Sequence, residues 1–107
     1  MVIALSEQER AAAVDVAART DLPEVGRVIV SEVAEIFRVG EDCIYGESRL
    51  RRLVDARTVI ACALRARGWT FDDIGILLNR HHTTILHLEE RSWSDPELKS
   101  LAKAIAA

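Results

Sequence analysis

The stretch "TFDDIGILLNRHHTTILHLEER", residues 70–91, indicates the fold most directly, because its pattern predicts a short helix, a tight turn and a second helix. Thr70 is a typical N-cap residue, and Asp72 and Asp73 follow at the positive end of the first helix, where acidic side chains are stabilising. Asn79 tolerates the left-handed backbone that a tight turn requires. The apolar positions of this first helix are Ile74, Leu77 and Leu78.

The second helix is predicted to run from about Arg80 or His81 to Ser92, and its first turns are polar. Two histidines and two threonines occupy those turns, whereas the apolar residues Ile85, Leu86 and Leu88 are predicted to face the other way. A helix-turn-helix has this layout, and its second helix enters the DNA major groove N-terminus first. Threonine hydroxyls and imidazoles suit that role because they can bond to base edges or phosphates.

A metal site and an enzyme active site are the alternatives for these histidines. His81 and His82 are adjacent and His87 is five residues beyond His82, so no pair has the three- or four-residue spacing that brings ligands onto one helix face. Thr83, His87 and Asp72 could in principle form a nucleophile, a base and an acid, but no feature of the sequence indicates an activated nucleophile. We therefore expect neither a metal or cofactor nor catalysis.

The rest of the chain is also predicted to be helical. Helices are expected at about residues 6–19, from Pro23 to about Arg38, from about Asp55 to Arg67, and from the Ser94-Asp95-Pro96-Glu97 start to the C-terminus, with a single turn at 41–45. The second of these should bury one stripe, formed by Val25, Val28, Ile29, Val33, Ile36 and Phe37.

These elements predict an all-α fold, a compact helical bundle with a helix-turn-helix. We divide the chain into an acidic, alanine-rich N-terminal helix (1–22), the helix-turn-helix domain (23–93) and a C-terminal helix (94–107). The N-terminal helix could dock a partner or merely cover the core. Cys43 and Cys62 are interpreted as small core residues, and Trp69 and Trp93 as packing residues rather than base-stacking ones.

The net charge of −3 conceals a division along the chain. Residues 1–46 carry nine acidic and four basic side chains, whereas residues 48–88 carry seven arginines and three aspartates. Local positive density is what displaces counterions from phosphates, so the charge of this segment fits contact with DNA and an ordinary solvated surface equally well. No apolar run approaches the roughly 20 residues that cross a bilayer, and we expect a cytoplasmic, nucleoid-associated protein without a membrane partner.

Residues 28–92 resemble the C-terminal DNA-binding domain of the bacterial replication initiator DnaA. The most specific part is "RHHTTILH", close to the family signature Arg-Asp-His-Thr-Thr-Val-Leu-His, and "VAEIF" and "DDIG" support it. The resemblance implies an all-helical, TrpR-like fold whose signature helix reads the major groove, while a basic loop reaches the adjacent minor groove.

By position in the family, the resemblance implies that His82 and Thr83 touch bases and that His81 stands where the family has a base-reading aspartate. Arg49 falls where the family inserts an arginine into the minor groove. Phosphate or backbone contacts are implied for Thr84, His87, Arg91 and Arg57. Arg51, Arg52 and Arg80 add positive charge nearby, and Thr70 caps the preceding helix. The candidate DNA-binding residues are therefore Arg49, Arg51, Arg52, Arg57, Thr70, Arg80, His81, His82, Thr83, Thr84, His87 and Arg91.

Three departures from the family alter the expected readout. His81 replaces an acceptor-only aspartate, the turn at Leu78-Asn79 is one residue shorter, and Glu47 and Ser48 replace basic residues of the loop. The sequence also lacks a P-loop. We therefore expect a transcription regulator or activator at promoters that works with a protein partner such as RNA polymerase, a sigma-like subunit or a DNA-bending protein. The alternatives are a protein-interaction adaptor or antirepressor without DNA binding, and a replication-control factor at origin-like sites.

Overall fold

A computed structural model describes residues 24–107, which form six helices and, within that range, no strand. We number them α1 (24–37), α2 (Glu41–Tyr45), α3 (Arg51–Ala66), α4 (Phe71–Leu78), α5 (His82–Ser92) and α6 (Pro96–Ala106). The all-α prediction is confirmed. The predicted helix at 6–19 and the N-terminal unit 1–22 lie outside the described residues.

The core is built around α3, which packs extensively against α6 and α5. Its apolar side chains recur at helical spacing and are fully or almost fully buried, and burial of each large one contributes about 1.5–3 kcal/mol relative to exposure. Ile74 and Leu78 of α4 and Ile85 and Leu88 of α5 join the same cluster, so the helix-turn-helix is anchored on α3. The buried apolar residues of α3 are Leu53, Ala56, Val59, Ile60, Ala61, Ala63 and Leu64.

The turn between α4 and α5 has the predicted left-handed residue. Asn79 has φ 56° and ψ 48°, its N–H bonds to the Ile76 carbonyl, and the N–H of Arg80 bonds to the Gly75 carbonyl at 2.8 Å. This pair of bonds is a Schellman motif. A Cβ on Gly75 would lie 2.5 Å from the carbonyl oxygen of Arg80, so the chain can fold back this closely only because residue 75 is glycine.

The buried face of α1 differs from the predicted stripe. Val28 and Ile36 are about half exposed, whereas Val30 and Ala34 are buried beside Ile29 and Val33. The sequence has apolar residues on both sides of the helix, and contact with the core selects the face that includes residues 30 and 34. The predicted positions Val25 and Phe37 are partly buried.

Helix α3 begins at Arg51, four residues before the predicted start at Asp55. Leu53 is buried on its first turn, so core contact begins the helix inside the basic run. Helix α6 also belongs to this core, through Leu98 and Ala102. No helix among residues 24–107 has the length and apolar character to cross a membrane.

Three further expectations about apolar residues are wrong. Cys43 is exposed rather than in the core, while Cys62 is half-buried and burial raises the pKa of its thiol. Trp69 packs in the core as expected, but Trp93 is 66% exposed just after α5. Leu86 is 36% exposed because it lies on the outer side of α5 rather than with Ile85.

Candidate nucleic-acid interface

The outward end of α5 is capped by a histidine. His81 is the N-cap residue, and its Nδ1 accepts from the backbone N–H of Thr83 at 3.3 Å. The same Nδ1 lies 2.7 Å from the Thr83 hydroxyl oxygen. We call His81, His82 and Thr83 the tip of α5; all three side chains are exposed.

His82 is held between its neighbour and α4. The centroids of the His81 and His82 rings lie 4.2 Å apart with planes tilted by 35°. The Nδ1 atom of His82 is 3.4 Å from the Oδ1 atom of Asp72, on the first turn of α4. The tip therefore carries an acidic neighbour, which the sequence indicated only as a residue suited to the helix dipole.

Two other candidates lie further along α5. Thr84 is partly exposed, and His87 is exposed with its Nδ1 3.5 Å from Glu90 Oε2. The core side of α5 is formed by Ile85 and Leu88, which are buried. Thr83, Thr84 and His87 lie off that side, so one polar face extends from the tip along α5.

Arg57 is buried, unlike the other arginine candidates, with 4% of its surface exposed. Its guanidinium donates to four carbonyl oxygens at 2.6–2.9 Å, those of Cys43, Ile44, Gly46 and Ser48. Four of the five N–H donors of an arginine are thus committed to the segment that links α2 to α3. This geometry does not favour the expected contact of Arg57 with the DNA backbone. Instead, the hydrogen bonds of Arg57 fix the conformation of that segment.

Arg80 reaches the same segment from the turn after α4. Its guanidinium donates to the Gly46 carbonyl, to the Tyr45 carbonyl at 3.4 Å, and to Leu78 and Asn79 within its own turn. Burial, and after it the charge of Arg80, lowers the pKa of Arg57. Arg57 therefore ties the α2–α3 segment to α3, and Arg80 ties it to the turn of the helix-turn-helix.

The basic residues that follow this segment are exposed. Arg49 and Leu50 precede α3, and Arg51 and Arg52 lie on its first turn. Arg49 lines an open groove together with Glu47, Arg57 and Arg80. Thr84 and Leu88 of α5 line the same groove. The structure thus brings the predicted loop and the predicted recognition helix onto one side of the molecule.

Two candidates have their polar atoms engaged within the protein. Arg91 forms a 2.6 Å ion pair with Asp55 of α3, and its guanidinium also contacts the Thr58 hydroxyl at 3.3 Å. Thr70 caps α4, because its hydroxyl oxygen accepts from the Asp73 N–H at 3.1 Å. The cap was predicted from sequence, whereas the Asp55 partner was not, since the two residues lie on different helices.

The residues that sequence reasoning missed are Asp72 as a neighbour of His82, Asp55 as a partner of Arg91, and Gly46 as the shared acceptor. Only Gly46 carried a signal, as a glycine that ends α2. Over residues 24–107, no group of three or more histidine, cysteine, aspartate or glutamate side chains could hold a metal ion.

One comparison with known proteins identifies a family. The model of the bacterial DnaA protein helix-turn-helix matches residues 22–91, which include α1 to α5 except Ser92. Comparison with curated proteins gives no match, and neither does comparison with solved structures.

Proposed function

The chain belongs to the family of bacterial DnaA helix-turn-helix domains, and on that premise we propose that it is a sequence-specific double-stranded DNA-binding protein that regulates transcription. DNA binding is the function that membership of the family indicates, and such domains are typically not enzymes. In the proposal, α5 reads the major groove, Arg49 enters the adjacent minor groove, and a protein partner acts with it at promoters.

The observation that carries this proposal is the groove that Arg49 shares with Thr84. A protein that reads adjacent grooves needs both elements on one side, at a fixed separation. The Gly46 carbonyl, held by Arg57 and Arg80, supplies a rigid connection between the loop and the turn before α5. Arg57 is accordingly a positioning residue in this proposal, and Arg51 and Arg52 add positive density beside the groove.

A partner is proposed because the charge near the groove is mixed. Glu47 lines the groove, Asp72 adjoins the tip, and Asp55 offsets the charge of Arg91. Few free cations imply few phosphate contacts, and therefore modest affinity for a single site. A second half-site or a protein such as RNA polymerase, a sigma-like subunit or a DNA-bending protein would supply the remaining specificity.

Duplex binding by the full chain tests the proposal. Sites selected from a randomised duplex library are rebuilt with A·T-rich or G·C-rich flanks, and fluorescence anisotropy gives the affinity across a salt series. The wild type should bind with a negative salt slope and prefer A·T-rich flanks, since arginine favours a narrow minor groove. Arg49→Ala should lose the flank preference, whereas Arg67→Ala, the same change at the far end of α3, should keep it.

An unchanged flank preference in Arg49→Ala would refute the minor-groove assignment. No salt-dependent binding by the wild type would instead favour the adaptor or antirepressor, for which the exposed Ile76 and Trp93 offer apolar contact surface. Chromatin immunoprecipitation with sequencing then separates the two DNA-binding roles. Peaks at promoters support regulation of transcription, and peaks confined to an origin support replication control.

A further inference from the structure

The contacts of the tip of α5 fix which of its atoms can donate and which can accept. Resting on the proposed function, we infer that His81 presents a hydrogen-bond donor to DNA, whereas Thr83 and His82 present acceptors. Asp72 is then a specificity-determining residue, since it sets the hydrogen position on His82. Each assignment follows from a group that can act in only one way.

The backbone N–H of Thr83 decides the hydrogen position on His81. A backbone N–H can only donate, and it lies 3.3 Å from Nδ1 of His81, so that nitrogen carries its lone pair. In a neutral imidazole the other ring nitrogen then carries the hydrogen. The Nε2–H of His81 is therefore a donor on an exposed side chain.

The hydroxyl of Thr83 follows from the same atom. Its Oγ1 lies 2.7 Å from Nδ1 of His81, which has no hydrogen to give, so the hydroxyl donates to it. What remains on Thr83 for a ligand is the lone-pair side of the oxygen and the methyl group. Thr83 thus accepts from a base and can contact a thymine methyl group.

Asp72 decides the hydrogen position on His82. An ionised carboxylate can only accept, and Asp72 Oδ1 lies 3.4 Å from Nδ1 of His82, so its negative charge favours the tautomer that carries the hydrogen on Nδ1. Nε2 of the neutral ring is then an acceptor. Two imidazoles 4.2 Å apart therefore present opposite groups to the same groove.

Base edges in the major groove distinguish these groups. Guanine, adenine and thymine each offer an acceptor there, whereas cytosine offers only its amino group. The base that meets His81 should therefore be any base except cytosine. The base that meets His82 should carry an amino group, which restricts it to adenine or cytosine.

The substitution His81→Asp reverses the first assignment while keeping the helix start. Aspartate is a good N-cap residue, and its ionised carboxylate accepts hydrogen bonds but cannot donate them. In selection from a randomised duplex library at pH 8, the variant should favour cytosine or adenine at the position where the wild type excludes cytosine. The expected change in relative enrichment is about fivefold, the ratio for a single hydrogen bond. Ile76→Asp adds the same charge at an 80% exposed position beside the tip and should leave that preference unchanged.

The substitution Asp72→Asn tests the second assignment. An amide can accept from Nδ1–H or donate to a bare Nδ1, so it no longer fixes the hydrogen position on His82. The preference for an amino-bearing base should fall by about fivefold at one position. Asp42→Asn removes the same charge from an exposed position on α2 and should not alter that preference.

The outcomes separate this inference from the proposed function. A wild-type motif that changes at the expected positions in His81→Asp and Asp72→Asn supports both. A wild-type motif that neither variant alters at any position overturns the inference while leaving DNA binding intact. If the wild type enriches no sequence and shows no salt-dependent binding, both are overturned. Circular dichroism of each variant verifies that the helices are retained.

Discussion

Arg57 and Arg80 donate to one acceptor, the carbonyl oxygen of Gly46, although one lies on α3 and the other in the turn before α5. The same two guanidiniums also bind the carbonyls of Cys43, Ile44, Tyr45 and Ser48. Loop carbonyls of this kind would otherwise need water. The segment from α2 to α3 and the turn of the helix-turn-helix are therefore held as one unit.

The substitution Arg57→Lys should strongly destabilise the fold. A lysine ammonium is a compact group on a flexible stem and cannot reach four carbonyls in the planar arrangement that a guanidinium provides. At least one or two part-buried carbonyls would lose their donor, so we expect the free energy of unfolding to fall by about 2–4 kcal/mol. Urea denaturation followed by circular dichroism measures this loss.

Arg52→Lys is the matched control for that measurement, because Arg52 is exposed on the first turn of the same helix. The free energy of unfolding of Arg52→Lys should differ from that of the wild type by no more than about 0.5 kcal/mol. Equal stabilities for the two lysine variants would contradict the structural role of the Arg57 guanidinium.

Arg80 should influence DNA binding through Arg49. If Arg80 positions the loop, its loss also removes part of the contribution of Arg49, so the affinity losses of Arg80→Ala and Arg49→Ala should not add. We expect an interaction energy of about 0.5–1.5 kcal/mol in a double-mutant cycle on duplex affinity. The pair Arg67→Ala and Arg49→Ala, which shares no contact, should be additive; an additive Arg80–Arg49 pair would exclude the coupling.

Local features were predictable from sequence because their determinants lie within a few residues. Thr70 caps α4 through the N–H three residues on, and Asn79 adopts φ 56° at the turn, both as predicted. The buried positions of α4 were also largely correct, since Ile74 and Leu78 follow the helical period. Such features need no knowledge of which helices pack together.

The features that the sequence did not predict concern contacts between distant elements. Arg57 resembled any other arginine of the basic run, because nothing in the sequence shows that the α2–α3 segment leaves carbonyls that need a donor. Val28 and Ile36 fit a helical stripe, but the core contacts the neighbouring face of α1. The pairs Asp55–Arg91 and Asp72–His82 likewise join separate helices, so only the packing places them together.

The substitution Gly75→Ala should destabilise the helix-turn-helix although alanine is the better helix former. Alanine would gain about 1 kcal/mol from helix propensity. Its Cβ, however, would lie 2.5 Å from the backbone oxygen of Arg80, and backbone cannot rotate away as a side chain can. We expect a net loss of about 1–3 kcal/mol in the free energy of unfolding, measured by urea denaturation.

A suitable comparison for Gly75→Ala is Gly40→Ala, where the nearest atom to a new Cβ is a side-chain oxygen of Asp42 at 3.0 Å that can move. This variant should be nearly as stable as the wild type. A stabilised Gly75→Ala protein would mean that the two helices need not approach so closely.

Asp55 should restrain DNA binding by occupying Arg91. The two groups form a 2.6 Å ion pair with about a quarter to a third of each side chain exposed (22% and 32%). Asp55→Asn removes the negative charge while keeping the shape, so Arg91 can turn towards a phosphate. We expect tighter binding to all duplexes and a salt slope that is steeper by about 0.9, the value for one additional phosphate contact. Partial exposure limits the accompanying loss of stability to about 1 kcal/mol.

The double variant Asp55→Asn, Arg91→Ala distinguishes a released arginine from a general gain in positive charge. If Arg91 makes the new phosphate contact, the double variant should lose the added salt slope, whereas a simple charge effect would keep most of it. Asp42→Asn provides the control for net charge, because Asp42 is exposed on α2 and has no ion pair with an arginine among those found in residues 24–107. An identical rise in affinity for Asp42→Asn and Asp55→Asn would show that the ion pair with Arg91 does not restrain binding.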